Sequence, residues 1–193
     1  MKKKKQDITF ITNNNLCFSC GACSASCPVD CIDFHFTNAG RLHPKIDYNI
    51  CIECGVCYKV CPAIDSKSIV LAKIENESFY GKAVGAFVGR ATNKLIYENS
   101  QSGGMVTATL DFLFEQKLIK HALVVKMDYS LNPVPSYYFA SSTEELLLSQ
   151  KSIYAPVNLL SALSKIESLN GDIAIVGLPC HIEGIVTLQK IMP

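Results

Sequence analysis

The chain has 193 residues, 49% of them apolar and 18% charged, with a formal net charge of +1 at pH 7. That length suits one ordinary domain or two small ones with a real core, and no apolar stretch reaches the roughly 20 residues that cross a bilayer. No secretory leader is recognisable before residue 15, so a cytoplasmic protein without a membrane span is expected.

In chain order, the basic run Lys2 to Lys5 reads as a solvated tail, and Thr9-Phe10-Ile11 reads as a short outer strand. The cysteines follow. Nine of the ten lie between Cys17 and Cys61, and eight of those repeat one pattern with a shift of 34 residues. Cys17, Cys20, Cys23 and Cys27-Pro28 read Cys-x-x-Cys-x-x-Cys-x-x-x-Cys-Pro, as do Cys51, Cys54, Cys57 and Cys61-Pro62. This is the two-cluster bacterial ferredoxin spacing, in which the fourth cysteine of each run serves the other cluster. Three cysteines at two-residue intervals wrap three corners of a cubane, and the proline turns the chain away after the fourth. Two 4Fe-4S clusters are therefore expected, one on Cys17, Cys20, Cys23 and Cys61, the other on Cys51, Cys54, Cys57 and Cys27. Gly21 and Gly55 fall where the loop passes close to each cluster. Zinc knuckles do not explain two four-cysteine runs that each end in Cys-Pro, and a disulfide framework needs an oxidising compartment. Two oxidised clusters would bring the net charge to about −3, which argues against nucleic acid as a partner. Cys31, four residues beyond Cys27, is either a spare ligand or a small residue packed beneath the cluster; the second reading is preferred.

Residues 32–46 read as a hairpin, with Ile32, Phe34 and Phe36, then Leu42, Pro44 and Ile46, alternating about the turn Asn38-Ala39-Gly40. Residues 68–71 could form a further outer strand, and the polar residues 75–78 a linker. The expected division is a two-cluster ferredoxin domain over 1–78 and a second domain over 79–193.

The second half changes rhythm. Strands are expected at 83–89, 122–127, 136–140 and 173–176. Helices are expected from Met105 to Lys117, from a Thr143 cap to Gln150, from Asn158 to about Gly171, and from about His181 onward. Alternating strands and helices imply an α/β layer with a largely parallel sheet. The fold class expected is an α+β dicluster ferredoxin-like domain followed by an incomplete α/β domain.

Two loops could carry a cofactor. Ser100, Ser102, Gly103 and Gly104 precede a helix, where amides approach an anion; an ordinary Ser/Gly cap is the plainer reading. Gly177-Leu178-Pro179-Cys180-His181 sits at the carboxyl end of a strand, where open α/β sheets place ligands. Cys180, at a helix N-terminus, should ionise more readily than a free thiol, or else be a buried residue of a tight turn. His181 could relay a proton or be an ordinary helix residue.

Residues 100–108, Ser-Gln-Ser-Gly-Gly-Met-Val-Thr-Ala, resemble the Ser-x-Ser-Gly-Gly-x-x-Thr-Ala signature of the coenzyme F420 hydrogenase/dehydrogenase beta-subunit family. Residues 151–157 resemble its Ser-Lys-Tyr-Val-Gln-Ser stretch with a shift, and residues 174–184 its Gly-x-Pro-Cys-Gln-x-x-Gly segment, with His181 at the glutamine position. The resemblance implies an FAD-containing iron–sulfur oxidoreductase, some of whose members use coenzyme F420. It places Ser100 to Gly104 and Gly177 at the flavin, and Cys180 and His181 on the isoalloxazine or substrate side. The family continues through a large C-terminal region, so a truncated product is expected here, its flavin site completed by that missing region or a partner subunit. A redox partner protein is expected in either case. The alternative function is a non-catalytic ferredoxin-type electron carrier or docking subunit.

Overall fold

The computed structural model describes residues 6–64, 84–129 and 133–191. The expected strand at 68–71, the linker at 75–78 and the boundary at 78/79 lie outside these residues.

The first unit is built on its cysteine loops. Helix α1 (Thr9–Asn13) opens it, where a strand was expected. Asp7 accepts from the Thr9 amide at 2.9 Å and starts the turn, and Ile8 and Ile11, one turn apart, are both buried. Phe10 faces outward and meets Tyr58 edge-on, with ring centroids 5.8 Å apart. Over so few residues the alternation of a strand and the spacing of a helix cannot be told apart; the buried partners choose. Helix α2 (Ala22–Ala25) follows the first cysteines. Strands β1 (Ile32–Phe36) and β2 (Leu42–Ile46) form the expected antiparallel hairpin, with Ile32 opposite Ile46 and Phe36 opposite Leu42. Helix α3 (Val56–Lys59) repeats α2 in the second run. Ile8, Ile11, Ile32 and Ile46 form one core with Cys23, Cys31 and Cys57.

The second unit opens with α4 (Lys94–Glu98) and α5 (Met105–Glu115). Strands β3 (His121–Asp128), β4 (Val134–Ala140) and β5 (Ile173–Ile175) form a sheet in the order β4-β3-β5. The sheet is mixed rather than largely parallel. The β3–β4 pair is antiparallel over seven residue pairs and β3–β5 parallel over three. The connection between β3 and β4, residues 129–133, is too short for the crossover a parallel pair needs. Residues 84–89 form no strand: Val84, Phe87 and Val88 are fully exposed, without the ladder that makes a strand.

Helix α6 (Thr143–Leu147) is capped by Ser142 rather than Thr143, the Glu145 amide donating to Ser142 Oγ at 3.3 Å. Thr143 instead donates its hydroxyl to the buried Asp111 of α5, joining the two helices. The stretch Leu159–Ser168 is a 3₁₀ helix, unusually long for that form. Helix α7 (Pro179–Ile191) closes the unit.

Alternation along β3 sets the layers. Ala122 and Val124 face α5 and α6 through Leu110 and Leu146, while Leu123 faces Leu159 and Ala162 of the 3₁₀ helix. The opposite side of that helix, at Leu160, packs with Cys20, Ala22, Val60 and Leu188. The first unit is thereby seated on the 3₁₀ helix and α7.

Candidate redox centre and flavin loops

The repeat in sequence is a repeat in backbone. Two residues past the first cysteine of each run, Ser19 and Glu53 take φ of 59° and 51°. One residue past the second, Gly21 and Gly55 take φ of 92° and 71° and begin α2 and α3. These left-handed residues curl each loop around its cavity.

One cavity is lined by Cys17, Cys20, Cys23 and Cys61, with Ile8, Phe18, Phe34 and Pro62 among its walls. The other is lined by Cys27, Cys51, Cys54 and Cys57, with Val29, Ile32, Ile46 and Val56. The fourth cysteine of each run therefore reaches the cavity of the other run. Among the described residues no group of three or more His, Cys, Asp or Glu is drawn together as a metal-ion site; the thiols line two largely apolar cavities.

Amides point at the sulfurs. The Ser19 N–H lies 3.4 Å from Cys17 Sγ and the Cys31 N–H 3.4 Å from Cys27 Sγ. The amides of Ala22, Ile8 and Ala63 reach Cys20, Cys57 and Cys61. Burial nevertheless dominates at five of these thiols, pushing Cys20 up to about 12 and Cys61 to about 11, with Cys17, Cys23 and Cys57 also raised. These five stay neutral until iron displaces their protons. Cys31 is buried at 4% exposure with its Sγ 3.4 Å from Cys27 Sγ, and it lines the second cavity. It packs against a ligand position, and burial pushes its thiol up to about 12.

The serine–glycine loop leads into α5 through Gly104, at φ 71°. The Ser100 hydroxyl is held by the carbonyls of Tyr97 at 2.7 Å and Ser102 at 2.6 Å, so it shapes the loop. At Gly103 a Cβ would meet the Gly89 carbonyl at 2.6 Å. Ser102 is exposed. Gln101 was not singled out in the sequence, yet it joins two of the motifs. Its Oε1 accepts from the Ser152 amide at 2.9 Å, and its Nε2 donates to the Tyr154 hydroxyl at 3.4 Å.

Gly177 follows β5 in a turn so tight that a Cβ there would lie 2.8 Å from the His181 Cβ. His181 is buried at 6% exposure. Its Nδ1 accepts from the Leu178 amide at 2.9 Å, and its other ring nitrogen donates to the Val157 carbonyl. Burial holds the imidazole below the ordinary histidine value. A ring with both nitrogens on backbone groups positions the loop, whereas the sequence suggested a proton relay or an ordinary helix residue. Cys180 is half-buried and its thiol is raised, because burial outweighs the amides at the start of α7. The easier ionisation expected from a helix N-terminus does not arise.

Among the described residues no hydrogen bond joins the serine–glycine loop directly to the Gly177 turn. Residues 151–157 connect them, tied to Gln101 at one end and to His181 at the other. The first unit, in contrast, meets the Gly177 turn closely. The Leu160 amide donates to the Cys20 carbonyl at 2.9 Å, and Cys180 packs beside Cys20.

Three comparisons bear on this arrangement. Residues 86–164 match the family described as coenzyme F420 hydrogenase/dehydrogenase, beta subunit N-term. Residues 16–64 and 43–102 match two families of 4Fe-4S dicluster domain. The chain is 35% identical over 185 residues to the coenzyme F420-dependent sulfite reductase of Methanocaldococcus jannaschii, covering 93% of this chain and 26% of that one. It is 31% identical over 204 residues to an uncharacterized protein of the same organism, covering 96% of this chain and 56% of that one. The chain thus spans between about a quarter and about half of these curated relatives. A chain of the F420-reducing [NiFe] hydrogenase complex from Methanosarcina barkeri is similar at 24% identity and a TM-score of 0.46, over 55% of this chain and 38% of that one. No helix among the described residues is long and apolar enough to cross a membrane. The chain is an iron–sulfur redox protein related to coenzyme F420 hydrogenase/dehydrogenase beta subunits, whose N-terminal family matches residues 86–164 behind a 4Fe-4S dicluster domain.

Proposed function

We propose that the chain forms the electron-relay end of an iron–sulfur flavoprotein oxidoreductase. Cys17, Cys20, Cys23 and Cys61 hold one 4Fe-4S cluster, and Cys51, Cys54, Cys57 and Cys27 hold the other. The bound clusters supply single-electron storage, and FAD supplies exchange between one-electron and two-electron transfer, with coenzyme F420 or another two-electron carrier as acceptor. The observation that carries this reading is the seating of Cys20 against Leu160 and Cys180, which brings one cysteine loop to the turn expected at the flavin.

In this reading the amides at Ser102, Gly103 and Gly104 face the cofactor's phosphate or ribityl groups, and the Ser100 hydroxyl holds their loop in shape. Gly177 keeps the turn narrow, Cys180 lines the isoalloxazine or substrate side, and His181 fixes the Leu178 amide. Met105, Val106, Tyr154 and Leu178 stand exposed near these loops, which suits cover by a ring system, a further C-terminal region or a partner subunit. The sulfite reductase relative, named for its dependence on coenzyme F420, supports that coenzyme as the two-electron carrier, in whichever direction the electrons run.

Anaerobic reconstitution with iron, sulfide and FAD tests the proposal, best in a version extended to the length of its relatives. About eight iron atoms per chain and one retained flavin are expected. Clusters without flavin would favour the alternative, a non-catalytic carrier or docking subunit. The fully exposed Val84, Phe87 and Val88 are the feature that favours it. Such a subunit exchanges electrons with a redox partner protein but turns over no deazaflavin, flavin or nicotinamide acceptor.

A further inference from the structure

The two cysteine cavities occupy unequal positions. The cavity of Cys51, Cys54, Cys57 and Cys27 is walled by residues of the first unit, from Asp7 to Cys57. Beside it Ile50 and Ile52 stand 51% and 60% exposed. The cavity of Cys17, Cys20, Cys23 and Cys61 backs onto the second unit. The Cys20 carbonyl accepts from the Leu160 amide at 2.9 Å. A Cβ on Gly21 would lie 2.6 Å from the Ser161 nitrogen and 2.7 Å from the Asn158 carbonyl, so only glycine admits the approach. On α7, a Cβ on Gly184 would lie 2.7 Å from Leu160 Cδ1 and 3.3 Å from the Ala22 Cβ. Two glycines from separate units thus clear the same contact. Cys20 itself is only 8% exposed, and Cys180 packs against the hydrophobic cluster that holds it.

We infer that the Cys20–Gly21–Ala22 segment is the electrical contact between the units and imposes an order on the relay. The site of Cys17, Cys20, Cys23 and Cys61 is the inner station, coupled to the second unit through the Cys20 carbonyl and the Leu160 N–H. The site of Cys51, Cys54, Cys57 and Cys27 is the outer station, walled by the first unit alone, where a one-electron partner protein exchanges electrons. Each electron that leaves one station reduces the other, so the transfer balances within the chain, and the partner supplies or removes it at the outer one. Gly21 and Gly184 are positioning residues in this scheme. The inference rests on the proposed cluster ligands and extends that reading by giving the two sites different roles.

The order can be read from midpoint potentials, because potential follows solvent exposure and nearby charge. Reconstituted protein is titrated with detection by electron paramagnetic resonance, and each signal is assigned with the single-ligand variants Cys17→Ser and Cys54→Ser. Gly184→Leu wedges α7 away from Leu160 and Ala22 and wets the inner site. Cys180→Asp places a negative charge beside Cys20 without a wedge. In both variants the inner potential is expected to move and the outer to stay. Equal movement of both, movement of the outer alone, or movement of neither overturns the inference. Should Gly184→Leu fail to fold, Cys180→Asp decides by the same criterion. Failure of the wild-type chain to take up clusters defeats the proposed function instead, and is recognised by absent iron rather than by a pattern of shifts.

Discussion

Replacing Gly21 by alanine puts a methyl group into the seam between the two units. Two costs combine. Gly21 sits at φ +92°, and the left-handed region costs an L-residue about 1–2 kcal/mol. The new Cβ would also lie 2.6 Å from the Ser161 nitrogen, 2.7 Å from the Asn158 carbonyl and 2.9 Å from Ser161 Oγ. The first two are backbone atoms and cannot rotate aside, so about 1–3 kcal/mol of overpacking is added. The expected loss is about 2–5 kcal/mol. Gly40→Ala is the matched control. Gly40 has φ +72° with nothing within 4 Å of its Cβ position, so only the backbone cost of about 1–2 kcal/mol applies. Urea denaturation of the two apoproteins, followed by circular dichroism at matched m-values, gives the difference. A Gly21→Ala loss no larger than that of Gly40→Ala would refute the close seating of the Cys20 loop on the 3₁₀ helix.

Cys31→Ala should retain both clusters and the full iron content, since Cys31 packs beside Cys27 while four other thiols ring the cavity; loss of one cluster would make Cys31 a ligand. Apoprotein stability should fall as pH rises from 9 toward 12, measured by denaturant titration at several pH values. The Cys20 thiol is raised from 9.0 to about 12 by burial, so the folded state holds its proton longer than the unfolded state, and its contribution, at most about 4 kcal/mol, fades across that window. His181→Ala leaves the Leu178 amide and Val157 carbonyl without their partner and should cost about 1–3 kcal/mol, whereas His181→Gln, which can both accept and donate, should cost less than half of that. Because burial lowers the His181 value, the stability it contributes is present above pH 6.5 and lost below it as the ring gains a second proton; a His181→Gln variant with the same acid sensitivity would count against this.

Much of the first unit was legible because its information is local. Two-residue cysteine spacing, a following proline and a 34-residue repeat specify ligand loops without reference to the rest of the chain. The hairpin was legible for the same reason, its period of two matching the buried Ile32, Leu42, Pro44 and Ile46. Ambiguity began where local rules permit two outcomes. Thr9-Phe10-Ile11 suits strand or helix, and the pairing of Ile8 with Ile11 against the cysteine core decides for helix. Residues 84–89 have strand composition, but a strand exists only with a partner, and the structure provides none among the described residues. His181 and Gln101 depended on what folded around them: one became a buried brace between Leu178 and Val157, the other a tie to Ser152 and Tyr154.

The sequence by itself determined the chemistry of this protein, because ligand type and spacing select an iron–sulfur cluster before any distant contact forms. Only the tertiary structure decided which of the two cysteine cavities faces the second unit. The two runs are near copies, and nothing within either distinguishes inner from outer. That difference arises from Leu160, Gly184 and Cys180, residues far along the chain that meet Cys20 and Ala22 only when the units pack.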